Sequence, residues 1–237
     1  GQYEAGGLVT WEYRVGFSDS LYPDQFASEF YNDKATVETG DDVHVELGAM
    51  TENVNASLAL VPMTVTHSLA SGWNLTSLSL DPSSPALPGV LSSIAGDYEV
   101  VWAYEGCTGD EWRVHDPSFP PGDTLDSLDK EHGYWLRTTT PVSLQASGLR
   151  SSWTSIALCT GWNLIGYPGV EQPVTEVLAS IAGKYDLVYA YVGADTADPW
   201  KRYSPTVPVG NDLTTMKPGL GYWINMNQDA TLTIISR

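Results

Sequence analysis

The spacing of apolar residues changes in a fixed order along this chain, and then the whole order repeats. Val174, Val177, Leu178, Ile181 and Ala182 fall at i, i+3, i+4, i+7 and i+8, a stripe that predicts a helix with Pro173 near its start and Gly183 at its stop. Val90, Leu91, Ile94 and Ala95 give the same stripe ahead of Gly96. Beyond each glycine, Tyr98–Tyr104 and Tyr185–Tyr191 carry little polar content and predict a central strand beneath that helix. Upstream, Trp73 with Leu75 and Trp162 with Leu164 alternate on one face of a strand. Downstream come a looser hairpin through Trp112-Arg113 or Trp200-Lys201-Arg202, and a helical turn on an Asx cap at Asp123–Leu128 or Asn211–Met216. Two further strands follow, through Gly133-Tyr134-Trp135 or Gly221-Tyr222-Trp223 and then Val142–Ser147 or Ala230–Ile235.

The copies agree at residue level. Leu91–Gly106 and Leu178–Gly193 are identical at ten of sixteen positions, and Gly72–Leu75 recurs as Gly161–Leu164. Residues 66–149 and 150–237 therefore read as two tandem homologous α+β modules, each a mainly antiparallel sheet with one helix. Residues 1–65 share none of these words. Leu8–Val15, Thr36–Leu47 and Asn55–Val65 predict strands, separated by turns at Tyr22-Pro23-Asp24, Tyr31-Asn32-Asp33 and Thr39–Asp42. A small β-sandwich and a strand-donating arm both fit so short a segment, and it is expected to dock on the first repeat or on a neighbouring molecule. The fold class expected is β-rich α+β.

Charge adds direction to this picture. The 237 residues are 42% hydrophobic and 17% charged, with 29 acids against 11 bases and a net charge of -18. Phosphate is repelled by such a surface, which argues against a nucleic-acid partner. The charge is graded: residues 1–65 hold eleven acids and two bases, 66–149 eleven and three, and 150–237 seven and six. An acidic end and a near-neutral end carrying Lys184, Lys201, Arg202, Lys217 and Arg237 suit head-to-tail contact between subunits. No apolar run reaches the roughly 18 residues of a membrane span. Gly1 in place of Met is the start expected of a mature form after signal-peptide removal, a trimmed chain being the alternative. Cys107 and Cys159 both lie near the junction of the copies, where one disulfide would clasp them in an oxidising compartment.

The words Gly72-Trp73-Asn74-Leu75 and Gly133-Tyr134-Trp135, with their second copies, resemble the GWNL…GYW repeat module that occurs in tandem in secreted and surface-layer-like proteins of bacteria and archaea. The resemblance covers residues 66–237. It implies an extracellular setting and a structural or adhesive role, and it brings no catalytic residues.

Motifs for chemistry are sparse. His44, His67, His115 and His132 have no paired-ligand spacing and none recurs between copies; no nucleophile elbow, phosphate loop or dinucleotide fingerprint is present. The chain is therefore read as non-enzymatic. Calcium is the one cofactor the residues suggest, through Asp123, Asp126 and Asp129 at every third position, Asp195 and Asp198 around a small-residue loop, and Asp41-Asp42 and Asp110-Glu111 in turns. Trp73/Trp162 and Trp135/Trp223 recur at fixed places and read as core, whereas Trp112 with Arg113 and Trp200 with Lys201 and Arg202 sit in polar surroundings and are the candidates for sugar or partner contact. Asn55 and Asn74 head glycosylation sequons. The function expected is a structural subunit of an extracellular filament, sheath or surface layer, self-associating into a homopolymer through its N-terminal β segment; the alternative is a carbohydrate-binding or adhesive cell-surface module.

Overall fold

A computed structural model describes residues 2–20, 25–109 and 111–236. The Tyr22-Pro23-Asp24 turn, Asp110 and Arg237 fall outside them, as does the side chain of Glu111. The protein is β-rich, 41% strand and 8% helix. It forms two compact units, Gly1–Pro62 and Met63–Arg237, so both copies of the repeated words lie in the second. Among the described residues no helix is long and apolar enough to cross a membrane.

Among its described residues the first unit holds four short strands: β1 (Trp11–Tyr13), β2 (Gly16–Phe17), β3 (Glu29–Phe30) and β4 (Val43–Val45), paired antiparallel as β1 with β4 and β2 with β3. The strand expected over Asn55–Val65 is shorter there and begins only at Met63. Residues 55–62 are irregular, tied down by Ala27 N–H to Ala59 O (2.8 Å) and Val61 N–H to Gln25 O (2.9 Å). Pro62, which cannot donate to a ladder, marks the change.

The second unit contains β5 (Met63–Leu69), β6 (Gly72–Thr76), β7 (Asp81–Pro82), β8 (Tyr98–Glu105), β9 (Glu111–His115), β10 (Tyr134–Thr138) and β11 (Val142–Leu149). The second copy supplies β12 (Trp153–Leu158), β13 (Gly161–Ile165), β14 (Gln172–Pro173), α1 (Val174–Val177), β15 (Tyr185–Tyr191), β16 (Trp200–Tyr203), β17 (Thr215–Met216), β18 (Tyr222–Met226) and β19 (Ala230–Ile235). Two four-stranded antiparallel sheets have the same plan, β6-β10-β8-β9 and β13-β18-β15-β16. Each has a core on one face: Val101, Ala103, Tyr134 and Leu136 pack with Leu91, Ile94 and Leu144, and Val188, Ala190, Tyr222 and Ile224 pack with Leu178, Ile181 and Leu232. A boundary at 65/66 would cut β5, which pairs with β11 along its whole length.

The expected helices shrink to about two turns, largely 3-10. The first copy has a 3-10 turn over Gly89–Ile94, and the second has α1 followed by a 3-10 turn over Ala179–Ile181. Length explains it. Between the prolines and the glycines Gly96 (φ 85°) and Gly183 (φ 77°) there is room for about two turns, no side chain caps the start, and helix nucleation is costly. The apolar stripe is buried regardless. The helical turns expected at Asp123–Leu128 and Asn211–Met216 are extended instead, because their Asx side chains serve a different loop. Asp123 accepts from Asp116 N–H (2.8 Å) and Asn211 from Ser204 N–H (2.8 Å), while Thr124 and Leu125 N–H share Val114 O as Asp212 and Leu213 N–H share Arg202 O.

The two sheets meet through reciprocal backbone contacts. Gly133 N–H donates to Leu164 O (3.2 Å) and Gly221 N–H to Leu75 O (3.1 Å), so each GYW word bonds to the other copy's GWNL strand. A Cβ on Gly133 would lie 2.7 Å from Ile165 O, and one on Gly221 2.9 Å from Thr76 O. Gly106 and Gly193, which end the repeated stretch, press in the same way on Trp162 O and Trp73 O. A side chain at any of the four would force the sheets apart.

Candidate functional site

A strand in a sheet presents alternate residues to opposite faces. Val101 and Ala103 of β8 face the core, so Trp102 and Tyr104 face away from it, beside Trp73 of β6, Trp112 of β9 and Trp135 of β10. The second copy presents Trp162, Tyr189, Tyr191, Trp200 and Trp223 from the matching positions. Ten aromatic side chains thus occupy the outer faces of the two sheets and join into one network across the junction.

The network has the same dimensions read from either side. Trp135 lies 5.1 Å from Tyr191 and 5.8 Å from Trp200, ring centre to ring centre; Trp223 lies 5.0 Å from Tyr104 and 5.9 Å from Trp112. Trp73–Trp135 and Trp162–Trp223 are both 6.1 Å, near perpendicular. These edge-to-face arrangements suit the ring quadrupoles and hold the rings as rigid walls. Leu75 and Leu164 are buried beneath them together with most of Tyr104, and Trp135, Tyr191 and Trp223 are half-buried against these three.

The walls enclose two open grooves. One, of about 590 Å³, is lined by Trp73, Trp102, Trp112, Trp135, Tyr191 and Trp200. The other, of about 630 Å³, is lined by Tyr104, Trp162, Tyr189, Trp200 and Trp223. Exchanging the copies turns the first lining into the second apart from Trp112, and Trp200 serves both. The exposures are large: Trp73 40%, Trp112 47%, Trp162 37% and Trp200 44%. This corrects the reading of Trp73/Trp162 as core, while Trp135/Trp223 pack half-buried against Leu75, Tyr104 and Leu164. The recurrence of Trp73/Trp162 preserves a surface.

Of the five residues singled out for contact, Trp112 and Trp200 are in the grooves, and the three cations are committed elsewhere. Arg113 Nε is 3.4 Å from Glu105; Lys201 Nζ is 2.9 Å from Asp195 and 3.3 Å from Asp198; Arg202 donates to Val207 O (3.2 Å) and Val209 O (3.1 Å), holding the 203–211 loop. The Lys201 ammonium beside Asp195 holds that carboxyl below its usual range, and Asp195 raises the lysine in turn.

Apart from Asp110 and Glu111, which lie outside the described side chains, the carboxylates considered for calcium are each engaged within the chain or stand apart. Asp123 accepts from Asp116 N–H, which lowers its pKa, and meets His115 Nδ1 at 2.6 Å; His115 Nε2 lies 3.0 Å from Tyr98 Oη, whose pKa burial raises. Asp129 accepts from the backbone N–H of Glu131 (2.8 Å) and His132 (2.9 Å) and meets His132 Nδ1 at 2.9 Å, while the Asp126 side chain is exposed. Asp41 accepts from Asn32 (2.6 Å) and Asp42 from Arg14 (2.9 Å). Among the described residues no group of three or more His, Cys, Asp or Glu is placed to hold a metal ion. Asn55 is exposed, but Asn74 is buried with its side-chain N–H groups donating to Ala70 O (2.8 Å) and Gly72 O (3.1 Å), so this sequon belongs to the strand's own framework. Asn163 repeats that arrangement with Cys159 O (2.7 Å) and Gly161 O (3.1 Å).

Cys107 and Cys159 form a disulfide that ties the turn after β8 to the residues just before β13. Their counterparts across the junction are Ala194 and Ala70, so one side of the reciprocal contact is cross-linked and the other is not. No family model matches the chain, and neither a curated protein nor a solved structure matches it.

Proposed function

We propose that this protein is a non-enzymatic, extracellular binding module that holds a neutral glycan on the aromatic walls of residues 63–237. The observation that carries the reading is the pair of grooves lined by the repeated tryptophans, because a monomer's outer face rarely exposes so much contiguous aromatic surface without a partner. Pyranose rings present flat C–H faces that stack on indole, and an extended oligosaccharide suits open grooves better than a deep pocket would. The net charge of -18 disfavours sulfated or uronic glycans. The disulfide supports an oxidising compartment. Residues 66–149 and 150–237 are read as two homologous modules of the GWNL…GYW kind, fused so that each completes the other's groove. Calorimetric titration with neutral oligosaccharides tests the proposal. Removing one stacked ring, with about 80 Å² of contact, weakens binding by about 2 kcal/mol or thirtyfold. Trp200→Ala is expected to do so at both grooves and Trp112→Ala at one; absence of binding, or indifference to both substitutions, overturns the reading.

A second reading, assembly into a head-to-tail polymer through the N-terminal unit, is favoured by a separate observation. Val9, Trp11, Leu47 and Met50 of that unit are exposed, and among the described residues β1 and β4 pair only with each other. Strand edges and apolar side chains of this kind are surfaces for β-augmentation. Sedimentation at high concentration decides it: a monomer throughout removes the polymer.

A further inference from the structure

The two sheets differ at one position that the repetition makes conspicuous. Both β8 and β15 carry a bulge where a single acid is the extra residue, Glu99 in the first and Asp186 in the second. Bulges re-aim a side chain out of the regular alternation. In the first sheet Glu99 meets Arg137 at 2.7 Å, and the Arg137 guanidinium lies 5.9 Å from the centre of the Trp73 ring. The register places Arg137 opposite both Trp73 and Val100. In the second sheet the residue opposite Trp162 and Leu187 is Asn225. There the carboxylate and the indole are kept and the cation is gone; Trp162 is 37% exposed, close to the 40% of Trp73, and stacks on Tyr189 (6.1 Å, 26°), and Asp186 takes a hydrogen bond from Asn227 (3.2 Å) through one oxygen.

We propose that the Asp186–Trp162 position receives an arginine side chain from a basic partner polypeptide, seated as Arg137 is seated on Glu99 and Trp73. A guanidinium fits both halves of such a site, stacking on indole while bonding a carboxylate, which an ammonium does less well. The described arginines of this chain are engaged, Arg14 with Asp42, Arg113 with Glu105, Arg137 with Glu99, Arg202 with its loop and Arg150 with interactions of its own, which favours a donor from a different molecule. The charge of -18 supplies the long-range attraction. This inference goes beyond the glycan reading and does not depend on it.

The experiment titrates the full chain, with its tryptophans ¹⁵N-labelled, with the peptide acetyl-Gly-Arg-Gly-amide and its citrulline counterpart, following the indole N–H signals. The arginine peptide is expected to shift Trp162 selectively, and the neutral citrulline peptide is not. Asp186→Asn and Trp162→Ala each weaken binding by about fivefold or more. Asn225→Arg supplies the cation from within and abolishes it. Arg137→Asn, which empties the equivalent place in the first sheet, adds a second site at Trp73, a gain that no folding defect can produce. An unshifted Trp162, binding that survives Asn225→Arg, or an Arg137→Asn protein with one site overturns the proposal. Oligosaccharide titration of the same samples separates the two readings, since binding of arginine without glycan, or of glycan without arginine, sinks one and leaves the other.

Discussion

The two aromatic sheets present nearly equal ring geometry and very different surroundings. Their matched ring distances across the junction agree to 0.1 Å, yet one side of that junction carries the Cys107–Cys159 bond and the other Ala194 and Ala70. One hairpin is closed by a titratable Asp123–His115 pair; the other uses Asn211 and places Tyr203 where His115 would be. The comparison teaches that the shared contacts suffice to set the walls, while the unshared ones adjust stability and response to conditions around the same scaffold.

The comparison breaks most severely if the cross-linked side is uncoupled. Cys107→Ala with Cys159→Ala opens a loop of 52 residues, and chain entropy sets the expected loss on the order of 4 kcal/mol, read as a lowered denaturation midpoint. If the two sides are equivalent in backbone, Ala70→Cys with Ala194→Cys closes a second bond in the wild-type background. It is expected to form on air oxidation, with the mass falling by two hydrogens, and to stabilise by about 4 kcal/mol, much as the first does, because the loop it closes stays longer than 52 residues even after the native bond bypasses part of it. Free thiols in that variant would show that the two sides differ in backbone after all.

The smallest effect is one of pH. Asp123 is held below the ordinary aspartate value of about 3.9, first by the Asp116 N–H and then by His115. A carboxyl lowered in the folded state contributes stability that is present above the unfolded value and is lost as pH falls through the folded one. Asn211 has no such dependence. Asp123→Asn should therefore lower Tm above about pH 5 and flatten its decline below about pH 4, the two proteins converging in acid; curves that stay parallel down the acid limb would show that the Asp123 interactions contribute nothing to it.

Much of the strand plan could be read from the sequence, because alternation and repeated words survive wherever a ladder forms. GWNL, GYW and the Tyr98 and Tyr185 strands are examples. Which face was core could not be read, since β8 is apolar on both: Val101 and Ala103 on one side, Trp102 and Tyr104 on the other. A doubly apolar strand in an antiparallel sheet needs a second cover, and that was the available signal for a surface shared between the copies. The polar neighbours that drew attention to Trp112 and Trp200 are not themselves part of the grooves those rings line, as Arg113, Lys201 and Arg202 turn to their own acids and carbonyls. The helices failed on length, which periodicity does not measure.

One consequence follows from the reciprocal glycines. Gly133 and Gly221 each donate to a carbonyl in the opposite copy, and Gly106 and Gly193 each press on one. Each of these four backbone contacts that one half gives, it also takes. A single half expressed by itself would leave both words without a counterpart, and the remedy available to it is another identical half. The junction thus has the form of a two-fold contact made within one chain, cross-linked by the Cys107–Cys159 bond on one side alone.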